Sequence, residues 1–190
     1  MISTAALAPA SAASSSSWLK RYYGTRALFS AAWVALAYTI GKAQPTVGIA
    51  LLIIYPLWDC AANGVDAARN GGLRANPSQA LNVIVSAIVT LAIVLTVAFS
   101  HDLHAAIGVI GIWAGLSGLL QLATGIRRRR SVSGQWPQIL SGAQSSLAAA
   151  HILMMALSPL LIVSVADVGL YAAFGAVYFA ASAAMLQLKR

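Results

Sequence analysis

Six long apolar stretches, separated by short polar segments, dominate this sequence. A helix that crosses the hydrocarbon core of a membrane needs about 20 apolar residues, and each stretch approaches that length once the first is extended through residues 22–26. The stretches run over residues 27–40, 46–68, 80–100, 104–126, 137–158 and 163–188. Short strands of alternating polarity, as in outer-membrane barrels, do not occur. The sequence therefore predicts an all-α, polytopic membrane protein with six transmembrane helices.

The composition excludes most soluble classes of protein. Hydrophobic residues make up 59% of the chain and charged residues 8%, whereas soluble domains carry about 25% charged residues. So few charged groups cannot cover a surface that faces water, and membrane lipid is the expected partner. A nucleic-acid partner is not expected despite the net charge of +8, because the basic residues lie between apolar stretches rather than on one continuous face.

The basic residues lie at one set of connections. Eleven of the twelve Lys and Arg residues precede the first stretch or follow the second, fourth or sixth, and only Lys42 lies on the other side. Because Lys and Arg are enriched in cytoplasmic loops, both termini and the two longer connections are predicted to be cytoplasmic. The same rule explains the run Arg127–Arg130, with binding of lipid headgroups as the alternative.

The chain begins with an Ala/Ser-rich segment, residues 1–17. No basic residue precedes an apolar run there, so we expect a disordered tail rather than a signal peptide. Residues 18–23 combine aromatic and basic side chains, a mixture typical of the headgroup layer, although a plain linker has the same composition. Residues 18–190 then form a single six-helix transmembrane domain. The single cysteine, Cys60, cannot form a disulfide within the chain.

The second, fourth and sixth stretches can be aligned with one another, starting at Ile49, Ile107 and Val168. In this register an aromatic ring recurs, followed after four residues by a polar group and after four more by a second polar group. The aligned positions are Tyr55, Trp113 and Phe174; Asp59, Ser117 and Tyr178; and Asn63, Gln121 and Ser182. The alignment predicts three helix-hairpin repeats, over residues 22–68, 80–126 and 137–188.

Two helices carry stripes of small residues that allow close packing. The stripes are Gly108, Gly111, Gly115 and Gly118 in the fourth stretch, and Ala172, Ala176, Ala180 and Ala184 in the sixth. Either stripe can pack within the chain or against a second copy of it, so a homo-oligomer is compatible with the sequence.

The hairpin repeat, the Gly-rich even-numbered stretches and the segment GIRRRRSVSGQWPQILSG, residues 125–142, together resemble the HdeD-type acid-resistance membrane proteins, a bacterial family built from two-helix repeats. The segment from Tyr55 to Asn82 suggests a particular subgroup. The resemblance covers about residues 20–190. It implies a non-enzymatic, stress-associated protein of the bacterial inner membrane, and it implies no catalytic residues.

Four residues at the end of the second stretch form the main candidate site. Asp59, Asn63 and Asp66 share one helical face, and Arg69 follows Asp66 at a spacing that allows an ion pair. A carboxylate as deep as Asp59 is costly unless it is protonated, paired or hydrated. One interpretation is a proton- or ion-binding carboxylate. The other is an interfacial helix end, in which Arg69, Arg74 or Lys20 pairs with the acid.

The fifth stretch contributes Gln144 and His151, seven residues apart on one face. We place His151 near mid-membrane, where an imidazole would suit a proton relay or pH sensor. The alternative is a neutral histidine hydrogen-bonded across the bundle, with Gln121, Asp59 or a serine as its partner.

No catalytic motif, cofactor fingerprint or metal-ligand spacing is recognisable in the chain. The turn containing His101, Asp102 and His104, with Asp167 nearby, holds potential metal ligands, but we interpret it as a polar turn. We therefore expect no enzyme activity, no cofactor and no metal. Two functions remain: a stress-response protein of the HdeD type that senses pH, and a transporter or channel for small solutes, ions or protons.

Overall fold

The computed structural model describes residues 8–128 and 136–188, and these residues form six α-helices with no β-strand among them. The helices are α1 (Ala8–Leu36), α2 (Pro45–Arg69), α3 (Pro77–Ser100), α4 (Leu103–Arg128), α5 (Trp136–Ala156) and α6 (Gly169–Leu188). A short π-helical segment, Ala37–Gly41, extends α1, and a 3₁₀ turn, Val165–Val168, precedes α6. The prediction of an all-α fold is confirmed.

Five of the described helical segments, α2 to α6, are long and apolar enough to cross a membrane. Large apolar side chains cover the outside of the bundle, for example Phe99 at 84% exposed and Leu147 at 73%. A surface of that kind is solvated by lipid rather than by water. Helix α1 does not meet the same criterion, because Lys20, Arg21 and Arg26 lie within it and only a short apolar part follows.

Helix α1 begins at Ala8, inside the segment that the sequence predicted to be a disordered tail. Residues 1–7 of that segment lie outside the described part of the chain. Alanine has the highest intrinsic helix propensity, and Pro9 falls in the first turn, where proline is favoured. These preferences account for a helix that starts ten residues earlier than Trp18.

Prolines and residues with a left-handed backbone conformation lie at several of the helix boundaries. Pro45 and Pro77 stand at the first positions of α2 and α3, where the missing N–H would have no intrahelical partner. Helix α3 ends at His101, which has a φ of 51°. Gly71 and Gly72 also have positive φ angles, of 93° and 88°. Glycine adopts this conformation without steric cost, and here it lets the chain turn from α2 into α3.

The six helices form a ring in chain order, in which α1 closes against α6. The most extensive contacts join α4 to α5, α1 to α6 and α2 to α3, while the two helices of each predicted hairpin touch less. We call the end where α1 begins and α6 ends the terminal end. The opposite end, with the connections 42–44, 101–102 and 157–164, is the turn end.

The glycine stripe of α4 packs against α5 of the same chain. A Cβ atom at Gly111 would lie 2.9 Å from Leu153, and one at Gly118 would lie 2.8 Å from the backbone nitrogen of Ser146. Gly142 of α5 is equally tight, because its Cβ would lie 2.5 Å from the backbone nitrogen of Leu122. Small residues let these two backbones approach closely, so this stripe serves the fold of one chain.

The turn half of the bundle is densely packed. Its fully buried large side chains come from helices α1 to α5 and from the 3₁₀ turn: Trp33, Leu52, Ile93, Ile107, Ile110, Ile152, Val165 and Val168. The indole of Trp33 donates a hydrogen bond of 2.8 Å to the carbonyl of Leu51, so even the polar atom of this core residue is satisfied.

Candidate functional site

A cavity of about 440 Å³ lies between the helices in the terminal half of the bundle. All six helices contribute to its lining. Its volume falls within the range of about 300–1,000 Å³ that is usual for small-molecule sites. The packed turn half closes the space from the other side.

The nine positions aligned by the internal repeat all line this cavity. Residues four apart share one face of a helix, and α2, α4 and α6 each turn that face inward. Asp59 and Asn63 on α2 therefore face Gln121 on α4 across the cavity. These are three of the candidate residues that the sequence singled out.

Asp59 is the acceptor of a hydrogen-bond network that joins three helices. Arg26 of α1 forms an ion pair with Oδ1 of Asp59. Its Oδ2 accepts hydrogen bonds from Ser86 Oγ of α3, at 2.8 Å, and from Asn63 Nδ2, at 3.1 Å. Asp59 lies ten residues from the last residue of α2, which is about 15 Å along the helix. Its charge is therefore neutralised deep in the bundle, and by Arg26 rather than by Arg69, Arg74 or Lys20.

The guanidinium of Arg26 is held on several sides. It donates a hydrogen bond of 2.8 Å to the hydroxyl of Tyr22 and lies 4.2 Å from the ring centroid of Phe179. Its Nε and the indole nitrogen of Trp58 are buried, and neither has a partner among the described residues. A buried donor without an acceptor costs about 1–3 kcal/mol, so this wall is not at its energetic optimum.

Three aromatic rings form the floor of the cavity. Tyr55 of α2, Trp113 of α4 and Tyr171 of α6 make mutual edge-to-face contacts, with ring centroids 5.9 to 6.3 Å apart. Aromatic pairs prefer this geometry because the positive edge of one ring meets the negative face of the next. The three rings separate the cavity from the packed turn half.

The opposite wall, formed by α4, α5 and α6, carries neutral polar groups. These are Ser117, Gln121, Ser141, Ser145 and Tyr178. In the part of the chain that the structure describes, none of these five side chains forms a hydrogen bond with another residue, in contrast to the network around Asp59. The cavity thus has one charged, satisfied wall and one neutral wall with free donors and acceptors.

Asp66 lies below the cavity, at the terminal end. Its carboxylate accepts hydrogen bonds from Trp18 Nε1 at 3.3 Å, from Asn70 at 3.0 Å and from Gln79 at 3.1 Å. The expected ion pair with Arg69 does not form. The guanidinium of Arg69 lies 4.0 Å from the ring centroid of Trp18 instead, and the indole of Trp18 donates to Asp66. This cluster ties α1 to the connection between α2 and α3.

Gln144 and His151 do not line the cavity. His151 is exposed on the outer face of α5. Helix α5 ends at Ala156, so His151 lies five residues, or about 7.5 Å, from the turn end. It contacts neither Asp59 nor Gln121 among the described residues.

The turn end holds no cluster suited to a metal, since no group of three His, Cys, Asp or Glu side chains converges in the described residues. Nδ1 of His104 lies 3.8 Å from Asp102, and its Nε2 lies 3.0 Å from the carbonyl oxygen of Leu161. Asp167 caps the 3₁₀ turn, where it accepts a 2.7 Å hydrogen bond from the backbone of Ser164. The arginine run beyond Arg128 lies outside the described residues.

Arg26 and Ser86, the partners of Asp59, were not among the residues predicted for the site. In the sequence, Arg26 counts only among the basic residues that predict which side of the membrane is cytoplasmic. The sequence does contain one signal for this ion pair. Consecutive spans are antiparallel, so Arg26 inside the first span and Asp59 inside the second can lie at the same depth, where a buried acid needs a basic partner.

Together the fold and the site define a helical bundle with a polar, aromatic-lined cavity, in which helices α2 to α6 are long and apolar enough for a multi-pass membrane protein. No family model, no curated protein and no solved structure matches this chain.

Proposed function

We propose that this protein binds a small solute within the membrane and carries it across. The cavity supports this proposal above all, because a bundle that served only as a membrane anchor would gain stability by filling such a space with apolar side chains. Polar residues on all six helices line it instead: Arg26, Ser30, Asp59, Asn63, Asn82, Ser117, Gln121, Ser141, Ser145, Tyr178 and Ser182.

A carrier fits the arrangement better than a channel. A channel needs a continuous path, and the packed core around Trp33, Ile107 and Val165 blocks the turn half. A cavity that ends inside the bundle suits a protein whose solute site reaches one side of the membrane at a time. The ring of helices, with its alternating strong and weak contacts, offers boundaries along which such a bundle can move.

The proposed setting is the bacterial inner membrane, with α1 as a sixth span and the terminal end in the cytoplasm. The excess of Lys and Arg at that end supports this orientation. The three-hairpin repeat is part of the same proposal, since the aligned positions of α2, α4 and α6 all face one cavity.

Cysteine labelling tests whether the cavity admits water. In a Cys60→Ala background, Ser117→Cys places a thiol on the cavity wall, whereas Leu116→Cys places one on the neighbouring lipid-facing position, which is 53% exposed. A membrane-impermeant maleimide applied to vesicles from the terminal side should label the first variant and not the second, because only a hydrated thiol ionises and reacts. Equal, slow labelling of both variants would contradict a solute pathway.

An acid-response role of the HdeD type is the second candidate. The ion pair between Arg26 and Asp59 favours it, because protonation of Asp59 would leave the buried guanidinium without its counter-charge. Asp59→Asn should then reduce survival of acid shock, while His151→Ala should not, since His151 faces away from the cavity. A deletion strain with wild-type acid survival would remove this candidate.

A further inference from the structure

We infer that the cavity binds a neutral, ring-bearing small molecule with hydroxyl or amide groups, rather than an ion. This inference rests on the proposed function and names the class of solute. It follows from the charge of the lining, the chemistry of the free polar groups and the aromatic content of the walls.

The charge of the lining argues against an ionic solute. Arg26 and Asp59 are the charged side chains among the described residues that line the cavity, and they pair with each other. An anion would compete with Asp59 for the guanidinium, and a cation would have to displace Arg26 from the carboxylate. Either ion would leave one net charge in a low-dielectric space, which is strongly unfavourable. A neutral solute leaves the pair intact.

The polar contacts of the solute fall on the wall opposite Asp59. Both oxygens of Asp59 already accept hydrogen bonds, and the unpaired nitrogens of Arg26 and Trp58 are buried. Gln121 and the serines 117, 141 and 145 line the cavity without a hydrogen-bond partner among the described residues. Amides and hydroxyls both donate and accept, so they match hydroxyl, carbonyl or amide groups on the solute.

The remaining lining is aromatic and favours a ring. Eight aromatic side chains face the cavity: Tyr23, Tyr55, Trp58, Trp113, Tyr171, Phe174, Tyr178 and Phe179. Flat aromatic faces pack against aromatic rings and against the C–H faces of saturated rings. An aromatic amide and a sugar share the chemistry that this cavity would recognise, and the experiment distinguishes them.

Two matched sets of probes test the inference. The first set is benzamide, benzoate and benzylamine, and the second is glucose, glucuronate and glucosamine. Binding of each probe to the full chain in nanodiscs is measured by saturation-transfer NMR. In at least one set the neutral member should bind at least about tenfold more tightly than its charged counterparts. The set that binds shows whether the ring is aromatic or a sugar.

Gln121→Leu and Gln144→Leu form a matched pair of variants. The first removes the amide from the cavity wall, and the second makes the same change at a position outside the cavity. The first should weaken binding of the neutral probe about tenfold, the effect of losing one hydrogen bond, and the second should leave it unchanged. Ser117→Ala, a smaller change on the same wall, serves if Gln121→Leu lowers the yield of folded protein.

Three results would overturn the inference: a charged member that binds as tightly as its neutral counterpart, no binding by any of the six probes, or equal loss of binding in the two glutamine variants. If the Ser117→Cys variant is still labelled in that case, the solute pathway stands and only the class of solute is wrong. If it is not labelled, the proposed function itself fails.

Discussion

The two halves of the bundle are built on different principles. Near the turn end, buried side chains are large and apolar, with Trp33, Ile107 and Ile152 at 2% exposure or less. In the terminal half, the buried side chains include the polar Ser86, at 1% exposure, which donates a hydrogen bond to Asp59 beside a cavity of about 440 Å³. One half is filled, and the other is hollow and polar.

This difference places the packed core and the proposed solute site at opposite ends of the bundle. Tight packing at the turn end fixes the positions of six helices whose other ends surround open space. Because lipid provides no hydrophobic drive for helices to associate, close contacts at the filled half must compensate for those missing around the cavity. The polar network around Asp59 adds a second attachment between α1, α2 and α3, at the depth where packing is least complete.

Truncation of Trp33 should have the largest effect on stability. Trp33→Ala removes a fully buried ring and its hydrogen bond to Leu51, so we expect a loss of about 3–5 kcal/mol in the free energy of unfolding. Trp136→Ala is the matched control, because this ring at the terminal end is 66% exposed and its removal should change stability by about 0.5 kcal/mol or less. Denaturant titration in mixed micelles measures both. Similar losses would show that the two halves contribute equally.

Breaking the ion pair should have the next largest effect. Asp59→Asn retains an acceptor for Ser86 but leaves the charge of Arg26 without a partner in a site where the two side chains are 13% and 16% exposed. We expect a loss of about 3 kcal/mol in the free energy of unfolding.

A double variant distinguishes lost charge balance from lost packing. Arg26→Met combined with Asp59→Asn removes both charges and should recover most of the stability, since a neutral pair of similar volume is tolerated where a single buried charge is not. Asp102→Asn, at an exposed position of the turn end, should have no measurable effect. A double variant as unstable as Asp59→Asn alone would mean that the network, not the charge balance, stabilises the terminal half.

The same contrast explains which parts of the site were predictable from sequence. Asp59, Asn63 and Gln121 were found because a four-residue spacing recurs on three helices, and spacing alone decides which face a residue occupies. The partner of Asp59 depends on the register between two helices. Trp18 of α1 contacts Asp66 of α2. Arg26 lies eight residues after Trp18, and Asp59 lies seven residues before Asp66. Because the two helices are antiparallel, these steps bring Arg26 and Asp59 to the same depth. That register follows from tertiary packing, which the local pattern does not contain.

The side of the bundle on which His151 lies depends on tertiary packing in the same way. Its exposure to the outside depends on the rotation of α5, and the glycines of α4 set that rotation by admitting Ile152 and Leu153. The apolar stretches of the sequence predict the number of helices. Close contacts between the helix backbones decide which face of each helix points into the bundle.

The contact between α4 and α5 offers the finest test of this view. A Cβ atom at Gly142 would lie 2.5 Å from the nitrogen of Leu122 and 2.8 Å from the carbonyl oxygen of Gly118. Both are backbone atoms, so Gly142→Ala must separate the two helices, at a cost of about 1–3 kcal/mol in the free energy of unfolding. Gly24→Ala in α1 is the matched control, because nothing lies within 4 Å of its Cβ position and alanine favours a helix by about 1 kcal/mol over glycine. The two variants should therefore shift stability in opposite directions. If Gly142→Ala is as stable as the unmodified protein, then α4 and α5 do not approach closely, and the packing that orients the cavity wall has another origin.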